Sequence, residues 1–409
     1  MHKVWLLMGC VSAIGNVAAC SASESVDAAD PRSAPQAQTT GYAQAPASGG
    51  RAAAAPAGAP LPAILDFMTM DVCVDGSGAV IPGMIPGDAR CTRRRDIRAG
   101  ETPPYMLHNF GYPGSRCGDS GTIDKTNMPV ARGGVTRIVS STIRRPGCST
   151  RAAREELSDA PTAQDGASIQ WADDRYGFIM GSYSPVSLSA FQSSLCRANP
   201  SSSRRFFRSW VIAPAQVPAA GESGVGVFDG AMAKGAANVK MGSCPTRFRQ
   251  ALTSWTVQPF TFKSNRTMRA IISSHFAQTA PDGLSPGNAM QMERTYWTRE
   301  FGISRWEKWT REDFARKDGK SVATLGSQLA ARGRCSAPQL PTITYSSALR
   351  ESAVGGGEAY LRELSNPRTG ERHHWVMTLC EDYSNARPAS VASRQVPASA
   401  LASDLYWKP

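Results

Sequence analysis

The stretch MRAIISSHF, residues 268–276, decides the fold class. Apolar or small residues at the even positions alternate with Arg269, Ser273 and His275 at odd positions, so the pattern repeats every second residue. A period of two places successive side chains on opposite faces of a β-strand. The sequence therefore predicts a strand with one buried face and a second face that carries Arg269, Ser273 and His275.

Two hairpins are predicted after this strand. ERTYWTR (293–299) and ISRWEKW (303–309) flank a turn that closes at Gly302, and EAYLREL (358–364) and RHHWVMTLC (372–380) flank the turn NPRTG. Short runs of aromatic and β-branched residues bounded by glycine or proline are typical of strands. For the same reason YGFIMGSY (176–183) and RFFRSWVI (205–212) predict two strands in the first half of the chain.

Helical patterns are few: RAAREEL (151–157) and SVATLGSQLAARG (321–333), the second of which ends at Gly333. Many short strands, frequent glycine and proline turns and an even set of cysteines predict an all-β protein. We expect one or two β-sandwich or jelly-roll-like domains with few short helices, stapled by disulfides. The absence of a short fixed-period repeat disfavours a propeller or a solenoid.

Composition divides the chain into a leader, a tether, two halves and a tail. The predicted boundaries are 1–20 for a lipoprotein-type signal peptide, 21–60 for a disordered Ala/Pro/Ser-rich tether, 61–215 for an N-terminal β domain, 216–243 for a Gly/Ala-rich connection, 244–390 for a C-terminal β domain and 391–409 for a loose tail. The tether holds too little apolar surface to offset the entropy lost on ordering.

The leader has the layout of an export signal, with one basic residue, a short apolar run and small residues before a cleavage point. Val17-Ala18-Ala19-Cys20 resembles the lipobox of bacterial lipoproteins. The resemblance implies that Cys20 is acylated and that the outer membrane is the destination, because Ser21 is not a retention signal. Ordinary cleavage nearby, for instance after Ala22, would give a periplasmic or secreted protein. No later segment is apolar and long enough to span a bilayer, so the membrane is reached only through the lipid.

Ten cysteines are encoded, and eight remain after Cys10 and Cys20 are set aside. An even number in an exported chain predicts up to four disulfides. Neighbour pairing is the simplest connectivity: Cys73–Cys91, Cys117–Cys148, Cys196–Cys244 and Cys335–Cys380. No CxxC or HxxxH spacing is present, so no metal site is predicted from these residues.

The chain is basic, with 45 Lys and Arg against 33 Asp and Glu, and 36 of the basic residues are arginines. Arginine forks bind carboxylates, sulfates and phosphates, so a polysaccharide or another acidic surface polymer is a predicted partner. A GC-rich genome, which favours arginine codons, would explain the same excess. The charges are scattered and no nucleic-acid-binding motif accompanies them, which argues against nucleic acid as the partner.

The run CGDSG at 117–121 resembles the surroundings of a nucleophilic serine. A serine hydrolase or esterase would use His108, Asp119 and Ser120. However, His108 lies only twelve residues before Ser120, and Thr122 stands where a lipase elbow needs glycine. A glycine-rich turn beside a disulfide explains the run more simply.

The strand at 268–276 and the hairpin at 293–309 carry a richer set of side chains. The predicted catalytic residues are His275, Glu293, Tyr296 and Glu307, and the predicted substrate-binding residues are Arg269, Trp297, Arg299, Arg305, Trp306 and Trp309. On a solvent-facing sheet, aromatic rings stack on sugars while arginines hold carboxylate or sulfate groups. Cross-strand Arg–Glu pairs and tryptophans are also ordinary stabilisers of a sheet, which is the alternative interpretation.

Two reactions on an acidic glycan fit these residues. Glu293 and Glu307 could act as acid and base in glycoside hydrolysis. Alternatively, His275 or Tyr296 could abstract the proton next to a uronate carboxylate that Arg269 neutralises, as a polysaccharide lyase requires.

No cofactor is predicted. Asp173, Asp174 and Asp124 are candidate ligands for a structural calcium ion, although no calcium-loop motif surrounds them. His373 and His374 alternate to opposite faces of a strand, so at most one of them faces a ligand, and His374 is expected to be structural.

These features predict an exported, lipid-anchored protein that acts on or binds a polysaccharide. A hydrolase or lyase and a non-catalytic carbohydrate-binding protein stay open side by side. A structural envelope protein and a serine hydrolase that uses Ser120 are the further alternatives.

Overall fold

The computed structural model of the protein describes residues 63–97, 101, 104–109, 121–132, 135–144, 154–157, 168–172, 174–181, 208–228, 251–276, 280–316, 318–333, 335, 337–354 and 360–388. Several predictions lie outside these residues: the signal peptide with Cys20, the tether, the tail, and the pairs Cys117–Cys148 and Cys196–Cys244. They stay predictions.

In chain order, the elements up to residue 228 are α1 (Leu65–Met68), β1 (Asp71–Cys73), β2 (Arg94–Asp96), β3 (Tyr105–Asn109), β4 (Gly121–Arg132), β5 (Val135–Arg144), β6 (Arg154–Leu157), β7 (Ser168–Ala172), β8 (Tyr176–Gly181), β9 (Arg208–Pro214) and β10 (Ser223–Phe228). The later elements are β11 (Ala251–Thr261), β12 (Thr267–Phe276), β13 (Gln291–Thr298), β14 (Gly302–Arg311), α2 (Val322–Arg332), β15 (Ile343–Ser346), β16 (Leu349–Ala353), β17 (Leu361–Ser365), β18 (Arg372–Asp382) and β19 (Asn385–Pro388). Strands dominate the described residues, so the prediction of an all-β protein with few short helices is confirmed.

The described strands form two large antiparallel sheets and one small one. The nine-stranded sheet has the order β10-β11-β12-β13-β14-β18-β17-β16-β15, in which two meanders meet at the β14–β18 pair. The eight-stranded sheet has the order β19-β3-β4-β5-β7-β8-β9, with β6 paired to β5. β1 and β2 form the small sheet.

The nine-stranded sheet curls until its first and last strands lie side by side. Ser223 in β10 donates a side-chain hydrogen bond of 2.9 Å to the carbonyl oxygen of Thr344 in β15. A cluster of apolar side chains, which includes Phe260, Trp309 and Trp375, fills the inner face. Because strands twist, a wide sheet of this kind can bend enough to enclose an interior of its own.

The outer face of the same sheet packs against the eight-stranded sheet and α1. Ile271 and Trp297 of the nine-stranded sheet share one buried cluster with Ile212 of β9 and Leu65 of α1. This stacking of two sheet faces around a common apolar layer is the sandwich arrangement that the sequence predicts.

Both predicted hairpins are confirmed. β13 and β14 are joined at Gly302, whose φ of 65° lies in the left-handed region that glycine adopts without strain. β17 and β18 are joined by the NPRTG turn, where the N–H of Asn366 donates to the carbonyl oxygen of Glu371 at 2.8 Å. The predicted helix α2 is confirmed as well, because the Ser321 hydroxyl caps its first turn and Gly333 ends it.

Two of the predicted disulfides join described residues, and both are confirmed. Cys73–Cys91 closes the segment that connects β1 to β2. Cys335–Cys380 ties the chain after α2 to β18. Their Cα–Cα distances of 5.5 and 6.3 Å lie in the ordinary range for disulfides.

The helix predicted at 151–157 is wrong. Residues Arg154–Leu157 form β6, which pairs with β5 from Ser141↔Leu157 to Arg144↔Arg154. A helix of this length is not stable alone, because nucleation is unfavourable and few backbone hydrogen bonds follow it. The hydrogen bonds that β5 offers therefore decide the local conformation.

Two strands bear on the predicted division into halves. β10 lies inside the segment expected to be a connection, yet it pairs with β11 along its whole length. β19 belongs to the C-terminal half and pairs with β3 of the N-terminal half. Backbone hydrogen bonds therefore link the two halves through a shared sheet.

Candidate functional site

The structure distributes the predicted site residues over three places. The inner face of the nine-stranded sheet holds Tyr296, Arg305, Glu307 and Trp309, the layer between the sheets holds His275 and Trp297, and the outer surface holds Arg269, Glu293, Arg299 and Trp306. Only the last group reaches solvent. The expectation of a solvent-facing side is therefore wrong for His275 and Trp297, because both faces of the sheet are covered at these positions.

On the inner face, hydrogen-bond donors enclose Glu307. Its carboxylate accepts from Arg305 Nε at 2.7 Å and from Trp309 Nε1 at 2.7 Å. The Arg305 guanidinium also lies over the Tyr296 ring and 3.6 Å from Asp382 Oδ2. All of these side chains are buried, so they cannot contact a polymer in solvent.

A second ionic cluster on the inner face centres on Glu351 of β16. Its carboxylate accepts from Arg294 Nη2 at 2.9 Å, from Arg362 Nε at 2.7 Å and from the Tyr345 hydroxyl at 2.9 Å. Burial opposes ionisation of Glu351, but the charges of Arg294 and Arg362 outweigh it and hold the pKa below its usual value. Spacing could not predict this cluster, because its strands meet only when the sheet curls. The one indication in the sequence is that Arg294 lies two positions before Tyr296 on β13, so that the two side chains point to the same face.

The two clusters together are electrically balanced. Three arginines and three carboxylates are buried there: Arg294, Arg305, Arg362, Glu307, Glu351 and Asp382. Buried charges are tolerated when each is paired and hydrogen-bonded. Burial also raises the pKa of Tyr296 well above its usual value, so this phenol keeps its proton. A tyrosine that abstracts a proton needs the opposite shift.

Between the sheets, His275 takes part in a chain of hydrogen bonds. Nδ1 lies 3.1 Å from Thr253 Oγ1, and Nε2 lies 3.1 Å from Ser273 Oγ. Thr253 donates its hydroxyl to the carbonyl oxygen of Val211 at 2.6 Å, and Trp297 Nε1 donates to Ser273 Oγ at 2.9 Å. These bonds assign the ring proton to Nδ1, so Nε2 accepts from Ser273.

The Ser273–His275 contact has the spacing of a nucleophile and its base, but its surroundings differ. Ser273 has no exposed surface, and burial lowers the pKa of His275 to about 3. A general base at neutral pH needs a pKa near 7 and access to the substrate. The pair therefore functions as a satisfied polar network inside the core.

The predicted acid–base pair Glu293 and Glu307 is separated by the sheet. Glu307 lies opposite Arg294, and Glu293 lies opposite Lys308 in the β13–β14 register. Directly opposed residues share a face and successive residues alternate, so Glu307 points inward while Glu293 points outward. The two carboxylates cannot act on the same glycosidic bond.

Trp306 is half-buried on the outer face of β14 and belongs to neither of the two apolar clusters described above. Its indole Nε1 donates to Glu293 Oε2 at 3.2 Å. Thr295 of β13 and Glu381 of β18 flank it in register, and Lys308 follows two positions along the strand. The ring is thus an oriented aromatic group among polar neighbours.

The two outer arginines lie at the other end of these strands, beside α1. Arg269 donates to the carbonyl oxygen of Pro218 at 2.6 Å, and Arg299 Nη2 lies 3.6 Å from Asp66 Oδ2. The register places both arginines at the turn end of the hairpin, whereas Trp306 pairs with Thr295 at its middle. They do not converge with Trp306 on one ligand position.

The remaining predicted groups are spread over the chain. Asp119 and Ser120 lie outside the described residues, and His108 lies in β3 opposite Thr122, so the serine hydrolase alternative stays a prediction. At the surface, Nδ1 of the His374 imidazole lies 3.2 Å from Glu312 Oε2. Its neighbour His373 is engaged by a different carboxylate, that of Glu371.

The calcium candidates are described only in part. Asp173 lies outside the described residues, Asp174 is exposed just before β8, and Asp124 lies in β4. In the part of the chain that the structure describes, no group of three or more His, Cys, Asp and Glu side chains could hold a metal ion.

No protein family, curated protein or solved structure matches this chain. Across the described ranges, none of the helices has the length and apolar character needed to cross a membrane. The class of this protein therefore rests on its fold and on its candidate site. It is an all-β protein with stacked antiparallel sheets, a charge-balanced interior and an oriented tryptophan on its outer face.

Proposed function

We propose that the protein is an exported polysaccharide-binding protein, and that the sugar contacts the outer face of β13, β14 and β18 around Trp306. The observation that carries this proposal is the half-buried Trp306 ring, which Glu293 orients at 3.2 Å outside both apolar clusters. An aromatic ring with one apolar face and a polar rim stacks on the C–H face of a sugar while its neighbours bind hydroxyls.

The neighbours of Trp306 suit an acidic sugar. Lys308 follows two positions along the same face of β14; it is only 9% exposed, so it attracts a carboxylate or a sulfate through its charge rather than by direct contact. Glu293 on the flanking strand β13 is half-buried and offers a carboxylate acceptor for hydroxyl groups, whereas Glu381 on β18 is buried and already accepts a hydrogen bond from the Tyr383 hydroxyl.

Binding without catalysis is the form that the geometry supports best. Hydrolase or lyase chemistry needs two groups that converge on one bond. His275 is buried between the sheets, Tyr296 and Glu307 are buried on the inner face, and only Glu293 reaches the surface near Trp306.

Export and a lipid anchor at Cys20 belong to the same proposal, with the outer membrane as the destination and the periplasm or the medium as the alternatives. The two disulfides among the described cysteines suit an oxidising compartment. The tether at 21–60 would hold the sheets away from the membrane.

The test is binding of the full-length protein to a panel of acidic and neutral polysaccharides, measured by affinity electrophoresis. Trp306→Ala should weaken binding about tenfold or more, whereas Trp306→Phe should retain most of the affinity because a ring remains. Met290→Ala is the matched control, since Met290 is 37% exposed and lies just before β13. Equal affinity of the wild type and Trp306→Ala would contradict the proposal.

The same incubations distinguish binding from catalysis. Release of reducing ends would indicate that the protein is a hydrolase rather than a binding protein. Ultraviolet absorbance from unsaturated uronates would indicate a lyase. Failure to bind any member of the panel would favour a structural envelope role. For the anchor, Cys20→Ala should abolish labelling by a fatty-acid analogue, and persistent labelling would reject Cys20 as the lipid site.

A further inference from the structure

Two aspartates are paired in the register of the small β1–β2 sheet. Asp71 and Asp96 are direct partners in the antiparallel register, so their side chains project from the same face at adjacent positions. Asp71 is only 4% exposed, and Asp96 is half-buried. Two ionised carboxylates in these positions would repel each other with little water between them.

The nearest positive charge is shared. Arg94 Nη1 on β2 lies 3.5 Å from Asp71 Oδ2 and 3.1 Å from Glu300 Oε1 in the turn before β14. Tyr105 on β3 donates its hydroxyl to the backbone carbonyl of Asp71 at 2.7 Å, so this donor does not serve the carboxylate. Asp71 is therefore only partly compensated.

Asp96 has a stronger local donor but more negative neighbours. Thr69 Oγ1 donates to Asp96 Oδ1 at 2.6 Å. The other charged groups that act on Asp96 are Asp66 of α1, Arg299 of the β13–β14 turn and Arg95, which is engaged in a separate ion pair. The cluster is short of positive charge, because four carboxyl groups face two available arginines: Asp66, Asp71, Asp96 and Glu300 against Arg94 and Arg299.

Burial is the largest influence on both carboxyls. It raises the pKa of Asp71 to about 7, and repulsion from Asp96 and Glu300 offsets part of the attraction of Arg94. Burial also raises the pKa of Asp96, and Asp66 adds to the rise. A proton bound by Asp71 would remove this repulsion.

We propose that the Asp71–Asp96 pair holds one proton near neutral pH, carried by Asp71, and that this proton stabilises the docking of the disulfide-closed β1–β2 hairpin on the nine-stranded sheet. The hairpin is attached there through its backbone, since the N–H of Asp71 donates to the carbonyl oxygen of Glu300 at 3.2 Å and Met70 forms a β-bridge with Phe301. Loss of the proton places two negative charges at this junction, so the hairpin loosens as the pH rises. This device is independent of glycan binding.

The direction and size of the effect follow from proton linkage. Opening of the hairpin returns Asp71 to water, where its pKa is 3.8, whereas the docked carboxyl has a pKa of about 7. The docked state therefore binds the proton more tightly and loses stability as the pH rises from about 4 to about 7. With these two values, the opening equilibrium increases about tenfold between pH 6 and pH 8.

The test is hydrogen exchange of the full-length protein at pH 6, 7 and 8, with rates corrected for the intrinsic dependence of amide exchange on pH. Peptides within 70–97 should lose protection about tenfold from pH 6 to pH 8, and at each pH they should be less protected than peptides from β13 and β14, which exchange only when the whole sheet opens. Asp71→Asn, which imitates the protonated carboxyl, should remove the loss. Asp88→Asn is the matched control because Asp88 lies in the same disulfide loop but faces Arg266 at 3.2 Å, and it should behave like the wild type.

Equal protection of the hairpin at pH 6 and pH 8 in the wild type would overturn the proposal, as would an unchanged loss in Asp71→Asn. Hairpin peptides that are as well protected as β13 and β14 at every pH would overturn it as well, because the hairpin would then open only together with the whole sheet. If Asp71→Asn fails to fold, Asp96→Asn decides the question: removal of the opposing charge should shrink the loss between pH 6 and pH 8, and an undiminished loss would exclude a proton held by the pair.

Discussion

Carboxylates are buried in two regions of this protein, the inner face of the nine-stranded sheet and the β1–β2 hairpin, and their partners differ. On the inner face, Glu351 accepts hydrogen bonds of 2.9 and 2.7 Å from Arg294 and Arg362. In the hairpin, Oδ2 of Asp71 is buried with no hydrogen-bond partner among the described residues, and Arg94 lies 3.5 Å away. Glu351 and Asp71 are buried to a similar degree, but only Glu351 has arginines within hydrogen-bond distance to compensate its charge.

The contrast shows that burial alone does not decide whether a carboxyl keeps its charge. The pKa of Glu351 lies below its usual value because burial is outweighed by two arginines in contact. The pKa of Asp71 rises to about 7 because burial and the neighbouring carboxylates outweigh the attraction of Arg94, which is shared with Glu300, and of Arg299. Glu351 therefore keeps its charge near neutral pH, whereas Asp71 in the hairpin responds to pH there.

The largest expected effect comes from breaking the compensated region. Glu351→Gln leaves Arg294 and Arg362 buried without a carboxylate, so the free energy of unfolding should fall by about 3–5 kcal/mol in urea denaturation. Glu363→Gln is the matched control, since Arg372, its partner at 3.9 Å, is 71% exposed. This control should lose less than about 1 kcal/mol. Equal losses in the two variants would contradict the role assigned to the inner face.

The two disulfides, one in each region, should differ by a smaller amount. Cys335–Cys380 spans a sequence separation of 45 and Cys73–Cys91 one of 18. In the chain-entropy account, replacing the first pair by serines costs about 4 kcal/mol and replacing the second costs about 3 kcal/mol. Calorimetry of the two double variants under the same conditions measures the difference. A larger loss in the hairpin would show that docking rather than loop entropy dominates there.

The slopes of stability with pH form the last comparison, and in the wild type they oppose each other, so that their net effect is small. Burial lowers the pKa of His275 to about 3, so its contribution to stability is complete above about 6.5 and falls as the pH drops toward 3. Asp71 contributes in the opposite sense. Its contribution to stability is complete below about pH 4 and is lost as the pH rises to about 7. Between about pH 4 and pH 6.5 the two contributions nearly cancel.

Single variants should separate these contributions. Relative to the wild type, Asp71→Asn should make the free energy of unfolding rise with pH by about 1.4 kcal/mol per unit, and His275→Gln should make it fall by a similar amount. Denaturation curves at pH 4, 5 and 6 give the three slopes. If all three slopes are parallel, neither group is shifted in the way that its surroundings require.

Local patterns predict the parts of this fold that depend on local chemistry. The β13–β14 hairpin follows from alternating aromatic residues and a glycine at residue 302 that allows the turn, and α2 follows from a serine at its start and a glycine at its end. The neighbour pairs Cys73–Cys91 and Cys335–Cys380 follow from short sequence separation. Residues 151–157 were the exception, because a short helical pattern yields to an available strand partner.

The candidate site shows what local sequence patterns cannot predict. Glu293 and Glu307 lie close together in any hairpin built from these residues, but the register decides that they point to opposite sides of the sheet. Trp306 and Trp309 look alike in the sequence, although one is half-buried outside and the other is buried inside. Asp71 and Asp96 carry no motif, and only their pairing across β1 and β2 brings them together.

By itself, the sequence determined that this chain forms pleated strands, where the hairpins turn and which described cysteines pair, because these outcomes depend on residue type and short spacing. Only the tertiary structure decided which faces are covered and which charges meet. A strand that is buried on both faces shows no contrast between its two sides. The groups that set the proton affinity of Glu351 or Asp71 come from distant parts of the chain, and they act on the carboxyl only when folding brings them within a few ångströms and excludes water.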